Sequence, residues 1–153
     1  MDISLIKAKR TLNTGLCLEI LMDSQIFDAI SEDGATVNDV RVNIFDEYWV
    51  EITNNDVVIG VAQFKPTFNK CFDSHIHILP DYRKAHSLDA GNALIEWCED
   101  HLKGCLLFTT IPEFCPNVVS FLKSFGFKES GKLKGAWKKN GKQNDMTILT
   151  RGI

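Results

Sequence analysis

No run of apolar residues in the chain approaches the about eighteen that a membrane span needs, which excludes a helical membrane protein. The opening, MDISLIKAKR, lacks the apolar core of a signal peptide, so an intracellular, cytoplasmic protein is expected. No C-x-x-C pair occurs among the five irregularly spaced cysteines, Cys17, Cys71, Cys98, Cys105 and Cys115. Neither a disulfide framework nor a zinc site is suggested, and reduced, mostly buried thiols are the expectation. There is no G-x-S-x-G elbow and no phosphate-binding P-loop, so hydrolase and NTPase chemistry lack their motifs. Nor does any repeat, low-complexity stretch or Pro/Ser-rich linker divide the 153 residues, which are expected to form a single domain over 1–153.

What is present is an ordinary globular composition, 44% hydrophobic and 24% charged, which argues against disorder. The net charge of −3 conceals an asymmetry: residues 1–119 carry 9 basic and 18 acidic groups, whereas residues 120–153 carry 8 basic and 2 acidic. The basic end is read either as a solvated lysine-rich hairpin or as a surface for a polyanion or an acidic protein face.

Patterning gives an order of elements. Asp2–Ala8 reads as an edge strand, and Leu12–Met22 and Ser24–Ile30 as two modest helices, with Leu12, Leu16 and Ile20 on one face and Ser24 as a cap. Tyr48–Thr53 and Val57–Phe64 read as strands joined by an Asn54-Asn55-Asp56 hairpin turn. After Pro66 and Asn69, Ser74–Leu79 is a strand with His75, His77 and Leu79 on one face and Ile76 and Ile78 on the other. A helix from Ser87 to Lys103 carries the stripe Leu88, Gly91, Leu94, Ile95, Cys98 and Leu102, and Gly104 stops it. A buried strand Cys105–Thr110 precedes a short helix opened by Pro116 and closed by Gly126, with Val118, Leu122 and Phe125 facing inward. Strands follow at Phe127–Ser130, Ala136–Lys139 and Met146–Thr150, the last two joined through Asn140-Gly141. The helix linking Ser74–Leu79 to Cys105–Thr110 is a crossover and implies one parallel strand pair.

This order and spacing, from Ser74 to Phe127 and more loosely over nearly the whole chain, resembles the GNAT superfamily of acyl-CoA-dependent N-acetyltransferases. The family's central motif is a strand, a proline, then R-x-x-G-x-G or R-x-x-G-x-A opening a long helix. Ile78-Leu79-Pro80-Asp81-Tyr82-Arg83-Lys84 matches its first half, while its two small positions fall on His86 and Leu88. A second landmark, a short helix ending in G-F, is matched by Phe125-Gly126-Phe127, with Cys115 at the family's asparagine position and Leu122 at its tyrosine position. The tail, Gly126–Gly131 with Trp137–Lys142 and Asp145, is similar to the branch that acetylates ribosomal-protein N-termini. The stretch RKAHSLDAG, Arg83–Gly91, is similar to GNAT-like proteins of tailed bacteriophages, some described as head-assembly proteins, for which the host cytoplasm is the expected location.

The resemblance implies a mixed α/β fold: a mostly antiparallel sheet flanked by helices, with one central parallel strand pair, as a single GNAT-like domain. It implies acetyl-CoA as acyl donor, lying where Ser74–Leu79 and Cys105–Thr110 splay, with main-chain groups of Ile78 and Leu79 paired to the pantetheine. Arg83, Lys84, Ala85, His86, Ser87 and Leu88 would meet the phosphates at a helix N-terminus, and Asn117 the pantetheine arm. The acceptor, an amine, would attack the thioester directly.

Such a transfer needs the amine deprotonated, and His75 and His77 are the candidate catalytic bases, since a histidine pKa near ~6.5 suits proton removal around neutrality. Two strand histidines are also read as packed structural groups. As an H-x-H metal pair they lack a further ligand at suitable spacing, so no metal is expected. Cys115 at a helix N-terminus is where thiolate is favoured, although direct transfer needs no cysteine. Trp49, Trp97 and Trp137 read as packing residues, and the charge argues against nucleic acid. Two functions follow: acetyl-CoA-dependent transfer to a primary amine of a protein or small molecule, or a GNAT-fold interaction or assembly module without cofactor, bound to a protein partner or to a second copy.

Overall fold

The computed structural model describes residues 5–153. Its elements run β1 (Ile6–Arg10), α1 (Thr14–Leu21), α2 (Ser24–Ile30), a 3-10 turn (Val37–Asp39), β2 (Tyr48–Asn54), β3 (Val57–Phe68), β4 (Cys71–Ile78), α3 (Pro80–His101), β5 (Leu106–Pro112), α4 (Pro116–Ser124), β6 (Lys128–Lys139) and β7 (Lys142–Gly152). The seven strands make one sheet in the order β1-β2-β3-β4-β5-β7-β6. Every neighbouring pair is antiparallel except β4–β5, the pair joined through α3. This is the expected mixed fold. Of the edge strand expected at Asp2–Ala8, Asp2–Ser4 lie outside the described residues, and the strand runs on to Arg10.

Local chemistry explains the hairpins. Asn55 and Asp56 both take positive φ, 48° and 66°, as do Asn140 and Gly141, 53° and 76°, the signature of turns whose twist matches that of the flanking strands. Asn13 and Asp23, not Ser24, cap the first two helices: the Asn13 Oδ1 accepts from the Leu16 N–H at 3.0 Å and the Asp23 Oδ1 from Gln25 and Ile26. Two cores form, one on each face of the sheet. Val50, Ile52, Ala62, Phe64, Leu107 and Leu149 meet Leu94, Trp97 and Cys98 of α3. On the other face Trp49 and Val61 meet Cys17, Ile20 and Leu21 of α1 and Ile26 of α2.

Several expectations are corrected. α3 starts at Pro80, seven residues before the expected Ser87, because proline's fixed φ suits the first helical position and Asp81 complements the dipole. The Ser87 hydroxyl instead donates back to the Arg83 carbonyl at 2.6 Å from inside the helix. Leu88, placed in the buried stripe, is 62% exposed, and Val118, expected to face inward, is 41% exposed; Val119 packs on the core in its place. The two strands expected after Gly126 are one, β6, bent at register shifts between Glu129 and Gly131 and between Leu133 and Trp137.

Gly60 on β3 holds β4 close: a methyl there would lie 2.4 Å from the His77 carbonyl oxygen and 2.9 Å from Ile78 Cδ1. The first obstacle is main chain and cannot rotate away. Gly60→Ala should therefore cost about 1–3 kcal/mol in chemical denaturation, as overpacking does; a cost under half a kcal/mol would show that β4 yields.

Candidate active site

The parallel ladder is short. β4 and β5 pair only at Cys71↔Leu106, Phe72↔Leu107 and Asp73↔Phe108, after which both strands continue without each other. Each stays bonded on its outer side, β4 to β3 and β5 to β7. Strand alternation identifies the groups left facing the split. The Leu79 N–H donates to the Ile59 carbonyl at 2.8 Å, so by period two the main chain of His77 and His75 also turns to β3, and that of Ile76 and Ile78 turns to the split. On β5, the Cys105 carbonyl accepts the Ile153 N–H at 2.9 Å on the β7 side, which leaves Thr110 facing the split.

The two expected main-chain positions differ in what they face. Ile78 lies on the lip, with its carbonyl accepting the Arg83 Nε at 2.9 Å. Leu79 does not: its N–H is committed to Ile59 and its carbonyl accepts the Tyr82 N–H at 3.0 Å, whereas the main chain of Ile76 faces the split. Sequence alternation contained that signal, because Ile76 and Ile78 share one orientation.

Below the split, on the face covered by α1 and α2, lies a groove of about 670 Å³. That volume falls within the range of small-molecule sites. His75, His77 and Asp73 lie along its floor with Gln63; Phe27, Trp49 and Trp137 line its walls; the loop after α2 brings Glu32, Asp39 and Arg41, and α4 brings Cys115, Val118 and Leu122. A separate apolar crevice of about 60 Å³ opens on the α3 side, between Ile76, Leu94, Phe121 and Phe125.

The two histidine rings are parallel within 10°, with centroids 6.4 Å apart. Burial, then the charges of His75 and Arg83, push the His77 imidazole down to about 3. The residue keeps a partly open edge in the groove and is neutral near pH 7. His75 Nε2 lies 3.0 Å from Asp73 Oδ1. Asp73 escaped the sequence analysis because the strand was read from Ser74, although D-x-H-x-H places Asp73, His75 and His77 on one face. Gln63, directly across from His75, is held by its amide NH₂ donating to the Glu47 Oε2 at 2.7 Å, the same oxygen that accepts the Trp49 indole N–H at 3.0 Å.

The other expected residues are spread around the mouth of the split. Arg83, Lys84, Ala85, His86, Ser87 and Leu88 all lie within the first turns of α3 rather than in a loop ahead of it. From Lys84 onward their N–H groups fall to intrahelical bonds. His86 approaches the Asn54 amide at 3.4 Å. Asn117 is exposed in the first turn of α4 and does not line the groove. Cys115 caps α4 without a side-chain cap bond, and burial pushes its thiol up, so no thiolate forms there. The same cause takes Cys17 up to about 11 and Cys98 up to about 12, and all five cysteines are free. Among the described residues no cluster of three or more His, Cys, Asp or Glu is set to hold a metal, and no helix is long and apolar enough to cross a membrane.

The charge asymmetry resolves into a clasp over the groove. The loop after α2 grips the β6–β7 hairpin: the Lys138 N–H donates to Glu32 Oε1 at 2.8 Å, Lys139 Nζ to Asp28 Oδ1 at 2.9 Å and to the Ser31 carbonyl at 2.9 Å, and the Asn140 and Gly141 N–H groups each to the Asp33 carboxylate at 2.8 Å. The Gly141 and Asn140 amides hold the Asp33 carboxyl below its ordinary value. A depressed carboxyl stabilises above its unfolded pKa and loses that effect as pH falls through the folded one. Asp33→Asn should therefore loosen the loop, read as faster proteolysis within residues 31–41, at pH 7 and by less as the pH is lowered through the carboxylate range; equal cleavage at pH 7 would contradict the clasp. His77 works with the same proton balance in a higher pH window. Below about pH 6.5 the unfolded chain takes up a proton that the folded one refuses, so acidification costs stability, up to about 1.4 kcal/mol per pH unit. His77→Gln should flatten the fall in stability between about pH 6.5 and 4; an unchanged slope would place the neutral imidazole elsewhere.

The sequence model of the acetyltransferase (GNAT) domain family matches residues 41–148. Among curated proteins no sequence matches the chain. Solved structures similar to it include the spermidine N-acetyltransferase of Vibrio cholerae in complex with CoA and spermine, at TM-score 0.76 and 13% identity over 95% of this chain and 94% of that one. The ribosomal-protein-alanine N-acetyltransferase of Brucella melitensis superposes at TM-score 0.68 and 17% identity over 97% and 99%. A GNAT-family acetyltransferase of Streptococcus pneumoniae does so at 0.71 and 13% over 97% and 100%. At such identities the likeness is one of fold.

Proposed function

The chain belongs to the GNAT acetyltransferase family, and from that premise we propose that it is an acetyl-CoA-dependent N-acetyltransferase acting, as one domain over 1–153, on a primary amine of a protein or small molecule. The observation that carries this reading is the parting of β4 and β5 after Asp73 and Phe108, which leaves two main-chain lips above a groove floored by histidines. An extended arm with amide groups pairs with such lips as an added strand would. Acetyl-CoA supplies the activated acyl group. The chain's part is to orient it along Ile76, Ile78 and Thr110, to offer the Ile76 and Ile78 N–H groups to the carbonyl oxygen, and to take a proton from the incoming amine through His75. His77, held neutral, is the weaker base and supports the ring beside it.

The phosphates would meet Arg83 and Lys84 and the Asp81 N–H in the first turn of α3. A glycine-lined cradle is missing, since helix occupies that stretch from Pro80 onward. That observation favours a second reading, a GNAT-fold interaction or assembly module that has given up the cofactor, and the likeness of RKAHSLDAG to phage head-assembly proteins belongs with it. The tail's likeness to ribosomal-protein N-acetyltransferases belongs with the first, as do a cytoplasmic location and, for either reading, a protein partner or second copy.

Calorimetric titration with acetyl-CoA separates the two. The transferase reading expects micromolar binding, weakened in Arg83→Ala and in Lys84→Ala, and a His75→Ala variant that binds acetyl-CoA normally while turnover falls by about 10²–10⁴. No heat at millimolar ligand would leave the assembly module.

A further inference from the structure

The Asp73 Oδ1 is a buried carboxylate oxygen that no well-aligned hydrogen bond satisfies, and His75 Nε2 lies 3.0 Å from it. A carboxylate oxygen can only accept, and a buried acceptor left alone costs about 1–3 kcal/mol. The donor that lies at 3.0 Å is the imidazole, and it can donate only with the hydrogen on Nε2. In a neutral ring the lone pair then resides on Nδ1.

We propose that Asp73 is a positioning residue that fixes His75 in the Nε2–H tautomer, so that Nδ1 is the nitrogen that takes the acceptor's proton. The assignment rests on the acetyl-transfer reading for its use, but not for its geometry. The acceptor ammonium gives one proton to Nδ1, which leaves a free lone pair on the amine and a doubly protonated ring beside the Asp73 carboxylate. As the C–N bond forms and the C–S bond breaks, the electron pair of the latter leaves on sulfur, which takes the second amine proton. Products are amide and thiol, and His75 returns its proton to water. Asp73 stays a carboxylate throughout, stabilising the charged ring and holding its orientation.

Other charges reach this pair. His77 stacks along the same strand with Arg83 beyond it, Lys65 stands across from Asp73 on β3, and Glu47 holds Gln63 opposite His75. From the far wall come Glu32, Asp39 and Arg41 of the loop and Cys115 of α4, while β5 sets uncharged Phe108 and Thr109 alongside. All are common to the wild type and an Asp73→Asn variant of the same shape, so a difference between the two isolates the carboxylate.

The test is long-range ¹H–¹⁵N correlation of the full chain with ¹⁵N-labelled histidine. The expected results are the Nε2–H tautomer for His75 in the wild type and a smaller share of that tautomer in Asp73→Asn. In an active preparation kcat falls in Asp73→Asn while KM is kept. A wild-type His75 protonated on Nδ1, or a tautomer balance unmoved in Asp73→Asn, overturns the proposal. Because the resonances are read without turnover, an inactive protein with the expected tautomer would sink the transferase reading and leave this assignment standing.

Discussion

Three parallel residue pairs hold β4 to β5, and the rest of the site depends on there being no fourth. Parallel strands joined by a helical crossover normally pair along their length, and here they stop after Asp73 and Phe108 while each keeps its outer partner. Main-chain donors and acceptors that a continuing ladder would consume are left facing a gap. Unpaired groups of this kind are costly in a dry interior and are tolerated where water or a ligand can reach them. Strand alternation puts the His75 and His77 side chains on the groove face, and the apolar crevice lies on the other. Gly60 keeps β4 in place, since only a residue without Cβ lets β3 lie against the His77 carbonyl.

The second constraint is electrostatic and acts at a distance in sequence. The acidic stretch after α2 and the lysine-rich hairpin, which look like separate solvated segments in the sequence, neutralise one another through main-chain bonds to carboxylates and through Lys139, which is largely buried. Surface ion pairs alone stabilise little. Here the carboxylates accept backbone N–H groups at a tight turn, which fixes geometry, and the loop so anchored carries Glu32, Asp39 and Arg41 to the groove. The basic C-terminal part is therefore spent, at its tip, on the chain itself.

Much of the fold was legible because the signals were local. Asn55-Asp56 and Asn140-Gly141 declare their turns through residues that tolerate positive φ, and Gly126 at 86° declares the end of α4. The parallel pair followed from one apolar helix between two buried strands. What escaped were features in which two local rules competed. Ser87 has the chemistry of a cap, yet Pro80 at the first helical position and Asp81 beside it began the helix earlier and turned Ser87 into a mid-helix hydroxyl bonded to Arg83. The run Gly131 to Gly135 reads as loop, yet pairing with β7 carries β6 through it by two register shifts. In the site, the histidines were visible by residue type, whereas Asp73 and Gln63 became visible only through their contacts, and Leu79 was displaced from its expected role by strand alternation that a single hydrogen bond to Ile59 fixes.

The central claim is that the gap between β4 and β5 receives an acyl-CoA, and hydrogen–deuterium exchange of the intact chain with and without millimolar acetyl-CoA addresses it most directly. The account expects slowed exchange at Ile76, Ile78 and Thr110 and in the first turn of α3, with the outer amides of His75 and His77 unchanged because β3 already protects them. Unaltered exchange along both lips at saturating ligand, or protection confined to the β6 edge, would contradict it.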